Sequence, residues 1–242
     1  MTARIASDSF APYDDRTQPA RRIAGYPNTQ FRTPAQPPVE RLVSAADLSG
    51  PVFAPARAEE ADLAVVAPGR TRAMGQLIHL SGRVLDEYGQ PLPGVLMEVW
   101  QCNAAGKYIH HNDPSPVPVD PNFVGVGRVT TDAEGRYRLR TVKPGGYAVP
   151  EHSFPGTQKN WWRPPHIHFS LLGPATASRL ITQMFFPGEP LNRLDLILNA
   201  IPDESARAQL TARFTPELNT DDGALGFVHD FVLRGRLATP AA

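Results

Sequence analysis

Beyond residue 75, apolar and polar positions alternate in short runs that are separated by Gly, Pro and Asp turn chemistry. That spacing predicts an all-β antiparallel sandwich with few short helices. The runs 77–85 and 95–100 flank the turn Asp86-Glu87-Tyr88-Gly89-Gln90-Pro91, and 136–140 alternates behind Asp132-Ala133-Glu134-Gly135. Later strands are expected at 166–172, 180–186 and 227–233, and the Pro202-Asp203 start predicts a short helix over 203–213.

Upstream the pattern changes. Prolines crowd residues 1–75 in phrases such as Gly25-Tyr26-Pro27, Arg32-Thr33-Pro34 and Gln36-Pro37-Pro38, which favour extended backbone and forbid long helices. Phe10, Tyr13, Tyr26, Phe31, Leu42, Val52 and Phe53 give this stretch apolar surface to bury. The expected organisation is therefore an extended N-terminal arm over 1–75 and a sandwich domain over 76–242. Twenty-four Lys and Arg balance twenty-four Asp and Glu, so no charge excess points to nucleic acid. There is no run of eighteen apolar residues to suggest a membrane span, and Asp8, Asp14 and Asp15 argue against a signal peptide. The single cysteine, Cys102, reads as a buried structural residue and suits a reducing compartment, so the cytoplasm is expected.

Candidate chemistry concentrates at Arg163-Pro164-Pro165-His166-Ile167-His168-Phe169. In a strand that starts after the two prolines, His166 and His168 share one face, while Ile167 and Phe169 share the other. A solvated strand face would show the same alternation, so the pair needs help to be a metal site. Tyr108 in Gly106-Lys107-Tyr108 and Tyr147 in Pro144-Gly145-Gly146-Tyr147 sit in glycine-containing loops that could present phenols to a shared ion. A trivalent cation lowers a phenol's pKa enough to bind phenolate. Two phenolates with two neutral imidazoles leave such an ion one positive charge, which a hydroxide would neutralise, and hard anionic oxygen favours Fe(III) over soft metals.

The motifs together carry a family resemblance. Gly82-Arg83-Val84-Leu85-Asp86, Val99-Trp100-Gln101, Gly106-Lys107-Tyr108, Thr131-Asp132-Ala133-Glu134-Gly135-Arg136-Tyr137, Lys143-Pro144-Gly145-Gly146-Tyr147 and the His-x-His strand resemble the intradiol ring-cleavage dioxygenases, over roughly residues 20 to 236. Within the family, the likeness is greatest to the catalytic chains of its protocatechuate-cleaving branch. The resemblance implies non-haem Fe(III) held by Tyr108, Tyr147, His166 and His168, with a catecholic substrate, O2 and a homologous α subunit in a hetero-oligomer as partners. It implies that Tyr147 leaves the metal to act as a base, that Arg163 stabilises charge developing on the ring, and that Gln183 hydrogen-bonds near the reacting oxygens. Tyr26, Arg32, Trp100, Val149 and Ile197 would line the substrate pocket. His79, His110, His111, His152 and His229 match no ligand role and are assigned to surface or packing.

Three departures bear on the substrate. Val149 stands where the branch usually has tryptophan, Phe185 replaces an aromatic hydroxyl, and the loop between Tyr147 and His166 is longer than usual. Another substituted catechol, such as 4-sulfocatechol, catechol or hydroxyquinol, is therefore the alternative substrate. A non-catalytic, transthyretin-like (prealbumin-like) binding or partner chain is the alternative class, and the four ligand residues are what separate it from the enzyme.

Overall fold

The computed structural model describes residues 15–29, 33–36, 45, 60–67, 69–150, 156–173, 179–235 and 237–241. Twelve strands, numbered in chain order, occur among them. One sheet runs β1 (Glu60–Asp62), β5 (Arg136–Val142), β2 (Leu77–Leu85), β11 (Leu225–Val228) and β10 (Arg213–Phe214), with β12 (Phe231–Val232) also on β2. The other runs β4 (Val126–Thr130), β3 (Leu96–Trp100), β8 (His166–Leu172) and β9 (Arg179–Phe185). A separate hairpin joins β6 (Tyr147–Ala148) to β7 (Trp162–Arg163).

The expected antiparallel sandwich is present: β2–β5, β3–β4, β3–β8 and β8–β9 are all antiparallel ladders. Three short pairings, β1–β5, β2–β11 and β2–β12, are parallel. Alternation places Tyr137 and Leu139 of β5 inside and Arg136 and Arg138 outside. Tyr137 then meets Phe169 of β8 at 6.4 Å between ring centres, and Phe169 meets Phe231 at 4.8 Å, which ties the two sheets into one core. Each such ring contributes about 1.5–3 kcal/mol by leaving water. The core also takes Leu63, Ala64 and Ala73 from upstream of residue 76. Leu63 packs on Gly127 of β4, where a Cβ would meet its side chain at 2.8 Å. That glycine, weak as a strand signal, is why β4 escapes the sequence pattern.

Two expected elements differ in extent. The helix, α1 (Glu204–Gln209), is capped as predicted by Asp203, whose carboxylate accepts from the Ala206 N–H at 2.8 Å. It stops well before 213 because Leu210 and Ala212 turn their backbone groups sideways to Phe185 at 2.7 and 2.9 Å, and the chain continues into β10. The run 227–233 is broken between β11 and β12, although Val228 faces Ser81 and Phe231 faces Val84 in one continuous register. At the break the Asp230 carboxylate takes the Arg83 N–H at 2.7 Å in place of a backbone acceptor. The His229 carbonyl folds over Gly82, so close that a Cβ there would lie 1.7 Å from it.

His229 is buried, and its Nε2 has no hydrogen-bond partner among the described residues. Burial pushes its pKa down to about 3. The folded state therefore keeps it neutral, whereas the unfolded chain takes up a proton below about pH 6.5. The stability that depends on a neutral His229 is complete above that pH and falls as pH drops toward 3, by up to about 1.4 kcal/mol per pH unit. His229→Leu should flatten the decline of unfolding free energy between pH 6 and 4 by up to that slope, measured by urea titrations at each pH. An unchanged slope would show that this histidine does not drive acid unfolding.

Candidate metal centre

Pro164 and Pro165 cannot donate to a ladder, so β8 begins at His166, paired with Phe185, while His168 pairs with Trp100 on one side and Gln183 on the other. The His166 Nδ1 lies 2.6 Å from the Pro164 carbonyl. A carbonyl only accepts, so Nδ1 carries the proton and Nε2 keeps its lone pair. That Nε2 is 3.2 Å from the His168 Nε2. Burial, followed by the nearby Arg163 charge, holds both imidazoles neutral, with His166 well below the ordinary range and His168 lowered to about 3.

The two tyrosines arrive on loops that touch. Asn103 Oδ1 accepts from the Ala105 and Lys107 N–H groups, and its backbone carbonyl from Gly106 and Gly145. Gly106, at φ 87, makes the approach possible, because a Cβ there would be 2.6 Å from the Gly146 carbonyl. The Tyr108 N–H is then fixed by the Asp113 carboxylate at 2.8 Å. Its hydroxyl oxygen stands 3.1 Å from the His168 Nε2 and 3.5 Å from the His166 Nε2. Tyr147 meets Tyr108 edge to face at 5.5 Å and His166 at 5.7 Å between ring centres. Burial raises both phenols above their ordinary pKa, most strongly Tyr108, while Arg163 opposes the rise at each.

This donor set fits a metal. Donors that share an ion at roughly 2.1 Å lie roughly 3 Å from one another, which matches the separations among Tyr108, His166 and His168. No group of three His, Cys, Asp or Glu that could hold a metal occurs among the described residues, so an ion here must take phenol oxygen. Protonated phenols and neutral imidazoles leave the pocket without an anion, and a highly charged cation is what would drive the phenols to phenolate.

Arg163 is buried beside the centre. Its Nε donates to Asp195 at 2.5 Å and its Nη2 donates to Gln183. Asp195 is wholly buried and also accepts the Ile197 and Leu198 N–H groups at 3.0 and 2.8 Å. Asp195 escaped the sequence reading; its signal was a lone acid in the run Leu194-Asp195-Leu196-Ile197. Trp100 stacks on His168 at 4.9 Å and 3°, while Tyr26 meets Trp161 edge-on at 5.2 Å. Val149 lies opposite Trp161, its N–H donating to that carbonyl at 2.9 Å. Ile197 is buried in the turn that Asp195 caps, Phe185 tilts against His166 at 5.8 Å, and Arg32 lies outside the described residues. Cys102 is buried with its thiol on the Gly145 carbonyl, and burial pushes its pKa up to about 12. His110 and His111 stack on each other at the surface, and His152 is outside the described residues. A cavity of about 860 Å³ opens beside Tyr108 and Tyr147 and is bounded by Trp100, Ile109, Val126 and Trp162.

A β-sandwich that gathers two imidazoles and a phenol within 3.5 Å of one another, with a second phenol ring beside them, offers the donor set of a mononuclear metal site. The comparisons narrow that class: a family model described as dioxygenase matches residues 48–235, and the chain belongs to the intradiol dioxygenases, which are oxidoreductases. It is 44% identical over 236 residues to the protocatechuate 3,4-dioxygenase beta chain of Burkholderia cepacia, covering 96% of each chain. A catechol 1,2-dioxygenase from Pseudomonas sp. (strain EST1001) is 33% identical over 141 residues, 56% of this chain and 44% of that protein. The solved catechol 1,2-dioxygenase of Pseudomonas arvilla C-1 superimposes with a TM-score of 0.53 at 27% identity, over 76% of this chain and 60% of that one. No helix among the described residues is long and apolar enough to cross a membrane.

Removing the Asp195 carboxylate would strand a buried guanidinium. Asp195→Ala should cost about 3–5 kcal/mol of unfolding free energy. Asp195→Asn, which can still accept the two N–H groups, should cost visibly less. Denaturant titration reads both, and a loss below about 1 kcal/mol for the alanine variant would remove the ion pair from the supports of the site.

Proposed function

We propose that this chain is the catalytic, iron-bearing chain of a protocatechuate 3,4-dioxygenase. It would open protocatechuate (3,4-dihydroxybenzoate) between its two hydroxyl-bearing carbons and incorporate both atoms of O2 to give 3-carboxy-cis,cis-muconate. The observation that carries this reading is the convergence of the Tyr108 hydroxyl with the Nε2 atoms of His166 and His168. The 44% identity to a beta chain of that activity supports the substrate assignment.

Tyr108, Tyr147, His166 and His168 would hold non-haem Fe(III). When bound, the ion supplies Lewis acidity that favours the catechol as its dianion and templates its reaction with O2. The protein's own groups do the rest. The Pro164 carbonyl fixes the His166 tautomer, so a lone pair faces the centre. Tyr147, set apart from the closer Tyr108–imidazole group, is the phenol suited to leave and accept a substrate proton. Arg163, clamped by Asp195 and Gln183, keeps a permanent positive charge beside the ring and stabilises negative charge that develops there. Gln183 orients that guanidinium and stays within reach of the reacting oxygens. Trp100 roofs His168, and Tyr26, Arg32, Val149 and Ile197 would wall the substrate.

The beta-chain relative also supports a homologous α partner in an (αβ)n assembly, and the single buried thiol of Cys102 suits the cytoplasm. Exposed Ile109, Val126 and Trp162 at the cavity mouth give such a partner apolar surface to cover. A second substrate reading, another substituted catechol such as 4-sulfocatechol, draws on Val149 and Phe185, neither of which offers a polar group to the ring.

Purified, iron-replete protein should be red-brown from phenolate-to-iron charge transfer and should consume O2 with protocatechuate; a colourless preparation would reject the phenolate ligands. Tyr108→Phe and His166→Ala should lose bound iron or activity, read by metal analysis beside oxygen uptake. Arg163→Ala should retain iron and lose turnover by at least about a hundredfold, the scale of one transition-state charge interaction. Wild-type turnover in that variant would exclude its charge-stabilising role.

A further inference from the structure

Trp161 has no part in the site as described so far. It is 2% exposed, yet its indole N–H meets no acceptor among the described residues. Buried donors are nearly always satisfied, so an orphan marks a place that something else completes. Its neighbours define what that could be. The Arg163 guanidinium carbon lies 5.8 Å from the Trp161 ring centre, and the Tyr26 ring meets it edge-on at 5.2 Å.

Backbone geometry puts the indole there. Asn160 takes the left-handed φ of 53, which asparagine tolerates better than most residues, and turns the chain inward. Tyr147 pairs with Arg163 and Ala148 with Trp162, so position 149 falls opposite 161 and the short side chain of Val149 faces the indole across the hairpin. The orphan donor thus sits one residue before β7, in the same hairpin as Tyr147 and Arg163. A tryptophan is expected by resemblance at 149; here the large ring stands on the facing strand and brings a free N–H.

We infer that the Trp161 indole N–H receives an oxyanion substituent of the catechol ring, which makes Trp161, set opposite Val149, a specificity-determining residue of the proposed substrate site. This rests on the proposed ring-cleaving function. A neutral donor beside a buried guanidinium suits a carboxylate or sulfonate oxygen. Unsubstituted catechol leaves the N–H unmet, so the interaction separates anionic catechols from catechol itself.

The test is anaerobic titration of the iron-replete protein, purified with any chain that accompanies it, following visible absorbance with protocatechuate, 4-sulfocatechol and catechol. Wild-type protein should bind one anionic catechol more tightly than catechol, and which one identifies carboxylate or sulfonate. Trp161→Phe keeps the ring and deletes the donor. It should shift the ratio of anionic-catechol Kd to catechol Kd by about tenfold toward catechol, the scale of one hydrogen bond to a charged group. Val149→Trp, which crowds the indole from the facing strand, should shift the ratio the same way, and it serves if the first variant fails to fold. An unchanged ratio in a folded variant overturns the inference, whether all affinities fall together or none moves. Wild-type protein that binds none of the three removes the ring-cleaving function, and the inference with it.

Discussion

The register of β8 is the constraint on which the site depends. His166 and His168 face the candidate metal centre only because Ile167, Phe169 and Leu171, all fully buried, point into the core. A slip of one residue would exchange the two sets, placing two imidazoles among Tyr137 and Phe231 and three apolar chains at the loops. The ladder to β9 resists that slip over the whole strand, and the ladder to β3 resists it over His168–Leu172. Pro164 and Pro165 set its first residue. The cost of misplacing Phe169 in the core is therefore also what keeps the Nε2 atoms together.

Charge around this centre is distributed sparingly. Both imidazoles are neutral and burial favours protonated phenols, so Arg163 and Asp195 are the full charges seated within hydrogen-bonding distance of each other behind it. Asp195 compensates Arg163, and the pair together leaves little net field. In the proposed iron-bearing state, the compensating charge would come from Tyr108 and Tyr147 themselves, driven to phenolate by the cation.

The His-x-His strand, the glycine loops of the tyrosines and the alternation of β2, β5 and β9 were all legible in the sequence, because each is a local pattern with a fixed spatial consequence. The β4 strand was not, since Gly127 gives up strand propensity to make room for Leu63, a contact across the sandwich. The break at His229 was hidden for a similar reason: the register continues unbroken, and only Gly82 on the partner strand admits the folded carbonyl. Asp195 and Trp161 share that difficulty. Each matters through a neighbour distant in sequence, Arg163 for the acid and Tyr26 for the indole.

On the proposed function, substrate choice and metal binding would rest on different pieces of backbone. The imidazoles belong to β8, locked in the middle of a four-stranded sheet, whereas Val149, Trp161 and Arg163 belong to a two-stranded hairpin joined to the body by side-chain contacts and short turns. A two-stranded unit has little ladder of its own and takes its stability from what it packs against. Length and residue changes between Tyr147 and His166 can therefore reshape the wall around the ring while leaving the β8 register alone. Tyr147 lies on both pieces at once: its backbone pairs with Arg163 in the hairpin, and its ring reaches Tyr108 and His166 at the centre. In the proposed mechanism, the phenol that would leave the metal is thus mounted on the more adjustable element, while Tyr108 and the imidazoles are held by the tightly bonded Asn103 turn and the central strand.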